Sequence, residues 1–400
     1  MPATLKKKLL IVSTRLPYPL TDGVRIRIYN TAKYLSRHYI VDLACLTYQP
    51  FSASHLETLR GVFREVYVRK VHPAACALHA LLSLWNRLPA QTNFFRFALF
   101  DRLLAEIAPR YDVVLFNHIR TSEYARRRHG KSILDLHDSF GLRYERTLRN
   151  VHGPMRWFIR FELSRVSAYE REVFDLVDHA VIVSEVDRRY LIERGAPAEK
   201  LSVLNVAVRD DIRPGPPADR GRCIVFLGRI AYGPNEDAVL WFADNVFPVV
   251  HARCPDTTFF IAGIDPTRRV LALRDRPGIV VTGYLENPYT LMNDATVVVA
   301  PIRFGAGMQN KVLEAMYLGK PVVVSTVGAE GIDGKKGEHF LIADDADTFA
   351  RAVVELLEDR ELASRIGEAG RKLVLERYTW PTAAERLIGI IETVLGAPPR

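Results

Sequence analysis

The 400-residue chain lacks several features that would place it in familiar classes. No stretch reaches the ~18 uninterrupted apolar residues of a membrane-crossing helix. The nearest, ACALHALLSLW at 75–85, is short and carries His79. The opening KKKLLIVST imitates a secretory signal, with three lysines before an apolar run. That run extends only from Leu9 to Val12, short of a secretory core of roughly 7–15 residues, so a buried first strand is expected. Cysteine is scarce: the four, at 45, 76, 223 and 254, form no C-x-x-C pair and no zinc spacing. They are expected to be reduced packing residues. No G-x-G-x-x-G follows the first strand, which disfavours a dinucleotide dehydrogenase. No carboxylate pair stands out as an acid/base couple, and no Ser/His/Asp set appears in linear order. Asp344, Asp345 and Asp347 could suggest a metal, but they precede the apolar-periodic TFARAVVELL, where helix capping is the better explanation.

What is present is a globular composition, with 48% apolar and 25% charged residues and a mean hydropathy near zero. The length exceeds one ordinary core, so two domains are expected. The net charge of +9 is uneven: residues 1–200 hold 32 Lys/Arg against 20 Asp/Glu, and residues 201–400 hold 23 against 26. A basic first half suits an anionic partner, such as a membrane surface, a lipid-linked phosphate or nucleic acid; a plain solvated surface is the alternative.

Short apolar runs alternate with helical spacing along the first half. Strands are expected at 8–14, 40–46, 65–71, 112–118, 132–138, 179–185 and 201–208, with a helix over 25–37. RDDIRPGPPADRGR at 209–222 is rich in Pro, Gly and charge, as a linker would be. The pattern then restarts, with strands at 223–228, 257–263, 279–283, 296–301, 321–326 and 339–343 and helices over 235–252, 266–273, 288–294 and 309–318. Buried strands separated by helices indicate parallel sheets, whose ligands sit beyond the strand C-termini. The fold class is therefore α/β, with two Rossmann-like domains: 1–208, a linker at 209–222, and 223–379. The amphipathic 380–395, with the rest of 380–400, is expected to pack back across the N-terminal domain.

Three stretches of the second half, VFLGRIAYGPNEDAVLWFADNVFP (225–248), VTGYLENPYTLMNDATVVVAPIRFGAGMQNKVLEAMYLGKPVVVSTVGAEGI (281–332) and RKLVLERYTW (371–380), carry a resemblance. They are similar to retaining GT-B glycosyltransferases of family four (group 1), closest to bacterial exopolysaccharide sugar transferases. LPYPLTDGVRIRIYN (16–30) and AYEREVFDLVDHAVIVSEVDRRYL (168–191) extend the resemblance less specifically over nearly the whole chain. It implies two domains facing a cleft, with the acceptor on the N-terminal one and a nucleotide diphosphate sugar on the C-terminal one. It also implies no cofactor and no metal, because helix amides and basic side chains would offset the leaving diphosphate.

On that resemblance the loop Gly305-Ala-Gly-Met-Gln-Asn-Lys311 is the diphosphate cradle. Gly305 and Gly307 let the backbone approach a ligand, and the amides of Met308, Gln309 and Asn310 open a helix whose first N–H groups lack internal partners. Lys311 adds charge. Glu314 takes the position that holds the nucleotide ribose. Family members often carry a second glutamate eight residues earlier; Ala306 stands there. Arg229 matches an arginine that neutralises donor phosphate. A lysine usually follows it by five or six residues, but here those positions are Pro234 and Asn235, so Lys311 is expected to supply the charge. Gly23, in the first βα loop, corresponds to a glycine that approaches the donor; Asp22-Gly23 also reads as a simple turn. His137 corresponds to a histidine at the donor sugar, with His118 second and a structural role the alternative.

The segment 77–110, mixing leucines, aromatics and arginines, with Arg126, Arg127 and Arg128 nearby, suits an anionic membrane interface or a core helix with a solvated basic face. The expected activity is transfer of a sugar to a glycan or lipid-linked acceptor in envelope or exopolysaccharide assembly. The expected location is cytoplasmic or peripheral on the inner membrane face, with no nucleic acid partner. A nucleotide-sugar epimerase or phosphorylase, and a non-catalytic basic binding protein, are the alternatives.

Overall fold

The computed structural model describes residues 6–127, 130–148, 151–216, 218, 220–305 and 307–396. The chain divides into two compact units, Met1–Asn205 with Trp380–Arg400, and Val206–Thr379.

The first unit holds seven strands: β1 (Lys8–Ser13), β2 (Ile40–Thr47), β3 (Val66–Lys70), β4 (Val113–Asn117), β5 (Lys131–His137), β6 (His179–Ile182) and β7 (Leu201–Val203). All pair in parallel, in the order β3-β2-β1-β4-β5-β6-β7. Leu9 to Val12 are at most 1% exposed, so β1 is covered on both faces, and this is why it reads as a continuous apolar run. The order reverses between β1 and β4, and in sheets of this kind ligands bind beyond the strand C-termini at such a reversal. After β1 the chain turns into the helix Gly23–Leu35, whose N-cap Asp22 accepts from the Arg25 amide. The helix Trp380–Val394 packs on it: the Trp380 ring stacks on Tyr34 at 6.5 Å, and Leu387, Ile388 and Ile391 join the core cluster of Leu9, Ile28 and Ala32.

The second unit repeats the scheme with β8 (Arg222–Leu227), β9 (Thr257–Ala262), β10 (Ile279–Gly283), β11 (Val297–Ala300), β12 (Val322–Val324) and β13 (Leu341–Ile342). The strands are parallel, in the order β10-β9-β8-β11-β12-β13, and the reversal lies between β8 and β11.

Three segments differ from their sequence reading. The apolar run 201–208 is a strand only over Leu201–Val203; Leu204, Ala207 and Val208 are buried without extending the ladder. The Pro/Gly-rich 209–222 is not a free tether. The Ala218 amide donates to Asp294 Oδ1 at 2.8 Å and Arg220 pairs with Asp294 at 2.6 Å, which binds it to the second unit. The helix expected over 235–252 is Gly233–Trp241, a π-helical turn Phe242–Val246, and Phe247–Arg253. Pro248 has no N–H for the Asp244 carbonyl, and the widened turn absorbs the break.

Candidate functional site

In the second unit the chain leaves β8 at Gly228-Arg229 and leaves β11 through Pro301 to Gln309, at the two edges of the order reversal. The β8 and β9 exits touch: a Cβ on Gly263 (φ +144) would lie 1.7 Å from the Gly228 carbonyl oxygen, so only glycine fits there. Across the reversal, Gly305 (φ +131) and Gly307 (φ +86) lie in the left-handed region and turn the chain into the helix Asn310–Tyr317. No side chain caps that helix: Gln309 occupies the N-cap position and reaches instead toward the Gly307 carbonyl at 3.4 Å. The amides of Met308, Gln309 and Asn310 thus lead into and begin a helix without a side-chain cap. Ala306 lies outside the described residues.

Lys311 points back to the end of β8. Its Nζ donates to Asn235 Oδ1 at 2.6 Å and stands 4.2 Å from the centroid of the Phe226 ring. Asn235 in turn donates through Nδ2 to the Arg229 carbonyl at 2.9 Å. Lys311 therefore crosses from the β11 side and places its ammonium against the Gly228-Arg229 turn. Lys311 is only 8% exposed. Burial lowers its pKa to about 7, opposed by the Glu314 carboxylate.

Glu314 lies one helical turn further along the same helix. It is buried, and the Tyr289 hydroxyl donates to its Oε1 at 3.1 Å. Burial raises its pKa to about 7, against the Tyr289 hydrogen bond and the positive charges of Arg209 and Lys311. Arg209 lies over the Tyr289 ring at 5.9 Å and is held by Asp211. Arg229 is exposed and paired: its Nε donates to Asp265 Oδ2 at 2.9 Å. A phosphate there would replace or share the Asp265 contact.

In the first unit, His118 and His137 end β4 and β5, and both hold left-handed backbone angles, φ 75 and 66. Non-glycine residues adopt this conformation at a cost, commonly at functional turns. The His137 ring is buried: Asn117 Nδ2 donates to its Nε2 at 3.0 Å, and Asp135 Oδ2 lies at 3.8 Å. Burial lowers the pKa of His137, with Asp135 opposing, and lowers that of His118 further. Both rings are neutral near pH 7. Asp135 itself is clamped by Arg27, with Nε at 2.7 Å and Nη2 at 3.0 Å, which keeps it ionised. Gly23 is the first residue of its helix, and a Cβ there would meet nothing within 4 Å. Packing does not demand glycine at that point.

The other sequence-flagged groups settle locally. The four cysteines are buried and free. Asp345 caps the helix Ala346–Glu358 through the Thr348 amide at 2.9 Å, and Asp344 accepts from the Thr326 amide and hydroxyl. Arg126 pairs with Glu123 and Glu172, and Arg127 with Asp101, so their charge is locally balanced; Arg128 lies outside the described residues. The segment 77–110 breaks into Pro73–Leu81, the short turns Leu82–Leu84 and Ala90–Phe94, and Ala98–Ile107. Asn235, Tyr289 and Arg209 were not legible as site residues. Only the fold brings them to Lys311 and Glu314.

Residues 21–211 match the family described as Glycosyltransferase Family 4, and residues 221–359 match glycosyl transferases group 1. An uncharacterized 44.6 kDa protein in the cps region of Klebsiella pneumoniae is 23% identical over 93% of this chain and 96% of its own. A phosphatidyl-myo-inositol mannosyltransferase of Mycolicibacterium smegmatis is 30% identical over 54% of this chain and 58% of its own length. Among solved structures, Anabaena HepE in complex with UDP superposes with a TM-score of 0.68 at 14% identity, covering 96% of this chain and all of that one. Sucrose-phosphate synthase of Thermosynechococcus elongatus gives 0.69 at 16% identity, covering 98% of this chain and 100% of its own.

Proposed function

We propose, from the premise that the chain belongs to the family-four (group 1) GT-B glycosyltransferases, that it moves a sugar from a nucleotide diphosphate sugar to a glycan or lipid-linked acceptor with retention, in exopolysaccharide or other envelope-polysaccharide assembly. The observation that carries the reading is the placement of Lys311. A buried ammonium stands beside the Gly228-Arg229 turn, next to an uncapped helix start. A diphosphate spanning Gly305 to Asn310 would meet helix amides, Lys311 and Arg229, while Glu314 one turn further would accept from ribose hydroxyls. HepE was crystallised with UDP and with UDP-glucose, which supports a nucleotide-sugar donor. The cps-region relative supports a polysaccharide setting, and the phosphatidylinositol mannosyltransferase relatives support a lipid-borne acceptor.

In this reading the bond from the sugar's anomeric carbon to the diphosphate oxygen breaks, and the acceptor hydroxyl attacks on the same face. The departing phosphate oxygen takes the acceptor's proton. The charge that develops on the diphosphate is met by Lys311, Arg229 and the loop amides, so the step calls for no metal. The first unit, basic in composition, would work at an anionic membrane surface from the cytoplasmic side. Among the described residues no helix is long and apolar enough to cross a membrane.

Calorimetric titration with UDP-, GDP- and ADP-sugars tests the donor half. One class is expected to bind in the micromolar range, and Lys311→Met is expected to weaken it about tenfold or more. Binding by none of the three would overturn the reading. Product analysis with and without acceptor separates transfer from epimerisation.

A further inference from the structure

The first unit holds a second basic cluster that the donor chemistry does not use. Three arginines follow neighbouring strands: Arg15 after β1, Arg120 after β4, and Arg143 in the helix Phe140–Leu148 after β5. Arg120 and Arg143 flank His118, and Arg15 faces them closely enough for its charge to act on both His118 and Arg120. The Arg120 amide donates to His118 Nδ1 at 3.3 Å, the Phe140 ring stands edge-on to His118 at 5.1 Å, and Arg143 lies over that same Phe140 ring at 5.5 Å. Arg15 has Asp22 at 2.9 Å, and Arg143 reaches Asp138 only at 4.0 Å. Arg120 has no carboxylate partner among the described residues. Its guanidinium lies over the Phe95 ring at 5.6 Å, and its Nε reaches the Gln91 amide oxygen at 3.4 Å, a long contact for a half-buried guanidinium.

Gathering like charges at a partly buried point is unfavourable unless something anionic arrives. The strain is visible on Arg120, whose pKa falls to about 10 through burial and the facing charges of Arg15 and Arg143. The neighbouring His118 and His137 are neutral and add no charge, but they add ring nitrogens, and Tyr48 and Tyr144 stand close by. Arg120 and Arg143 each stand near an aromatic ring rather than a close carboxylate, which leaves guanidinium N–H groups for a phosphate oxygen pair.

The geometry points to an anion site at Arg15, Arg120 and Arg143 that takes the phosphate group of the acceptor. Assigning the anion to the acceptor rests on the transferase reading; the anion site itself does not. A phosphate carried by a lipid and a free sugar or glycerol phosphate share this chemistry. The lipid source is favoured by the surface beside the site. The segment that supplies Gln91 and Phe95 continues directly from Leu81, Leu82, Leu84 and Trp85, which are 45 to 79% exposed.

The test uses the full chain with saturating UDP, so that the donor site is occupied. Geranyl phosphate is then titrated by calorimetry, with inorganic phosphate and glycerol 3-phosphate as parallel probes. Geranyl phosphate is expected to bind; Arg120→Ala is expected to weaken it about tenfold and Arg143→Ala about threefold or more, with UDP affinity unchanged within about twofold in both. Arg143 is half-exposed, so its variant decides the matter if Arg120→Ala does not fold. Equal binding of the two soluble phosphates would assign the site to a soluble acceptor, and selective binding of geranyl phosphate to a lipid-borne one. Competition between geranyl phosphate and UDP, an equal loss of UDP affinity in the variants, or unchanged phosphate affinity in both would overturn the site. A chain that binds geranyl phosphate but no nucleotide sugar would keep the anion site and remove the transferase reading.

Discussion

Lys311 illustrates how a single residue is tuned by its surroundings. Its ammonium is buried against Phe226 and Asn235, and burial rather than a charge partner dominates its titration. With the folded pKa near 7 and the ordinary value at 10.5, the folded chain binds fewer protons here than the unfolded chain between those limits. This residue's contribution to stability therefore rises with pH across that window. Glu314, raised from 4.5 to about 7, binds more protons when folded, and its contribution falls as pH rises from 4.5 to 7. A bound diphosphate reverses the cost for Lys311 by supplying the counter-charge. UDP binding at pH 8 is thus expected to take up most of one proton, measurable by calorimetry in two buffers of different ionisation heat. Affinity should fall about tenfold or more from pH 7 to pH 9, and Lys311→Met should abolish both effects. A pH-independent affinity with no proton uptake would mean that Lys311 does not meet the phosphate. The sequence carried the identity of this lysine. It did not carry the burial, because whether a side chain on Asn310–Tyr317 faces the β8 exit depends on how the helix is set against the sheet.

At the scale of elements, both units place their candidate site residues at strand exits, and the exits are shaped by backbone rather than by long side chains. Gly263 is the sharpest case: any Cβ would overlap the Gly228 carbonyl, and the angle φ +144 disfavours other residues independently. Gly263→Ala should cost roughly 2–4 kcal/mol in urea unfolding and, by pushing the β8 exit aside, weaken UDP binding as well. A loss of stability with intact UDP affinity would show that the exit is not part of the donor site. The strands themselves were legible, since runs such as Leu9–Val12 and Val297–Ala300 are apolar because both sheet faces are covered. Less legible were segments whose burial is irregular. Residues 201–208 are as apolar as a strand but pair only over Leu201–Val203, and the charged 209–222 looked like a tether because its fixing partners, Asn293 and Asp294, lie some 75 residues away in sequence. The left-handed angles of His118 and His137 had little signal, because histidine adopts them more often than most residues but only a tertiary contact fixes which histidine does.

For the whole molecule, the excess of basic residues in the first half acquires a location. Trp85 and Trp157 are 79% and 80% exposed, with Leu81, Leu82, Leu84, Met155 and Phe158 also open. The two stretches belong together. The Arg165 guanidinium, on the helix Gly153–Glu172, donates to the Asn86 carbonyl, and the Ala90 amide donates to Glu162 on the same helix at 2.9 Å. Exposed Arg87, Arg156 and Arg160 flank the apolar side chains. Tryptophan and leucine beside arginine suit the headgroup level of an anionic bilayer. The full chain is therefore expected to float with vesicles containing phosphatidylglycerol, and the double variant Trp85→Ser, Trp157→Ser to lose most of that binding at unchanged UDP affinity. Salt should weaken the wild-type interaction only in part, because apolar insertion is not screened. No flotation at low salt would remove the membrane reading.

By itself the amino-acid order determined the two parallel sheets, the glycine-opened helix at 305–311 and the basic excess of the first half. Each is written in local pattern: apolar runs of strand length, glycines ahead of a helical period, a count of charges. Tertiary structure alone decided that Lys311 reaches across to Asn235, that Tyr289 holds Glu314, and that Arg120 and Arg143 flank His118 with Arg15 facing them. Those contacts join residues from separate crossovers of one sheet, and distance along the chain carries no record of the strand order that brings them together.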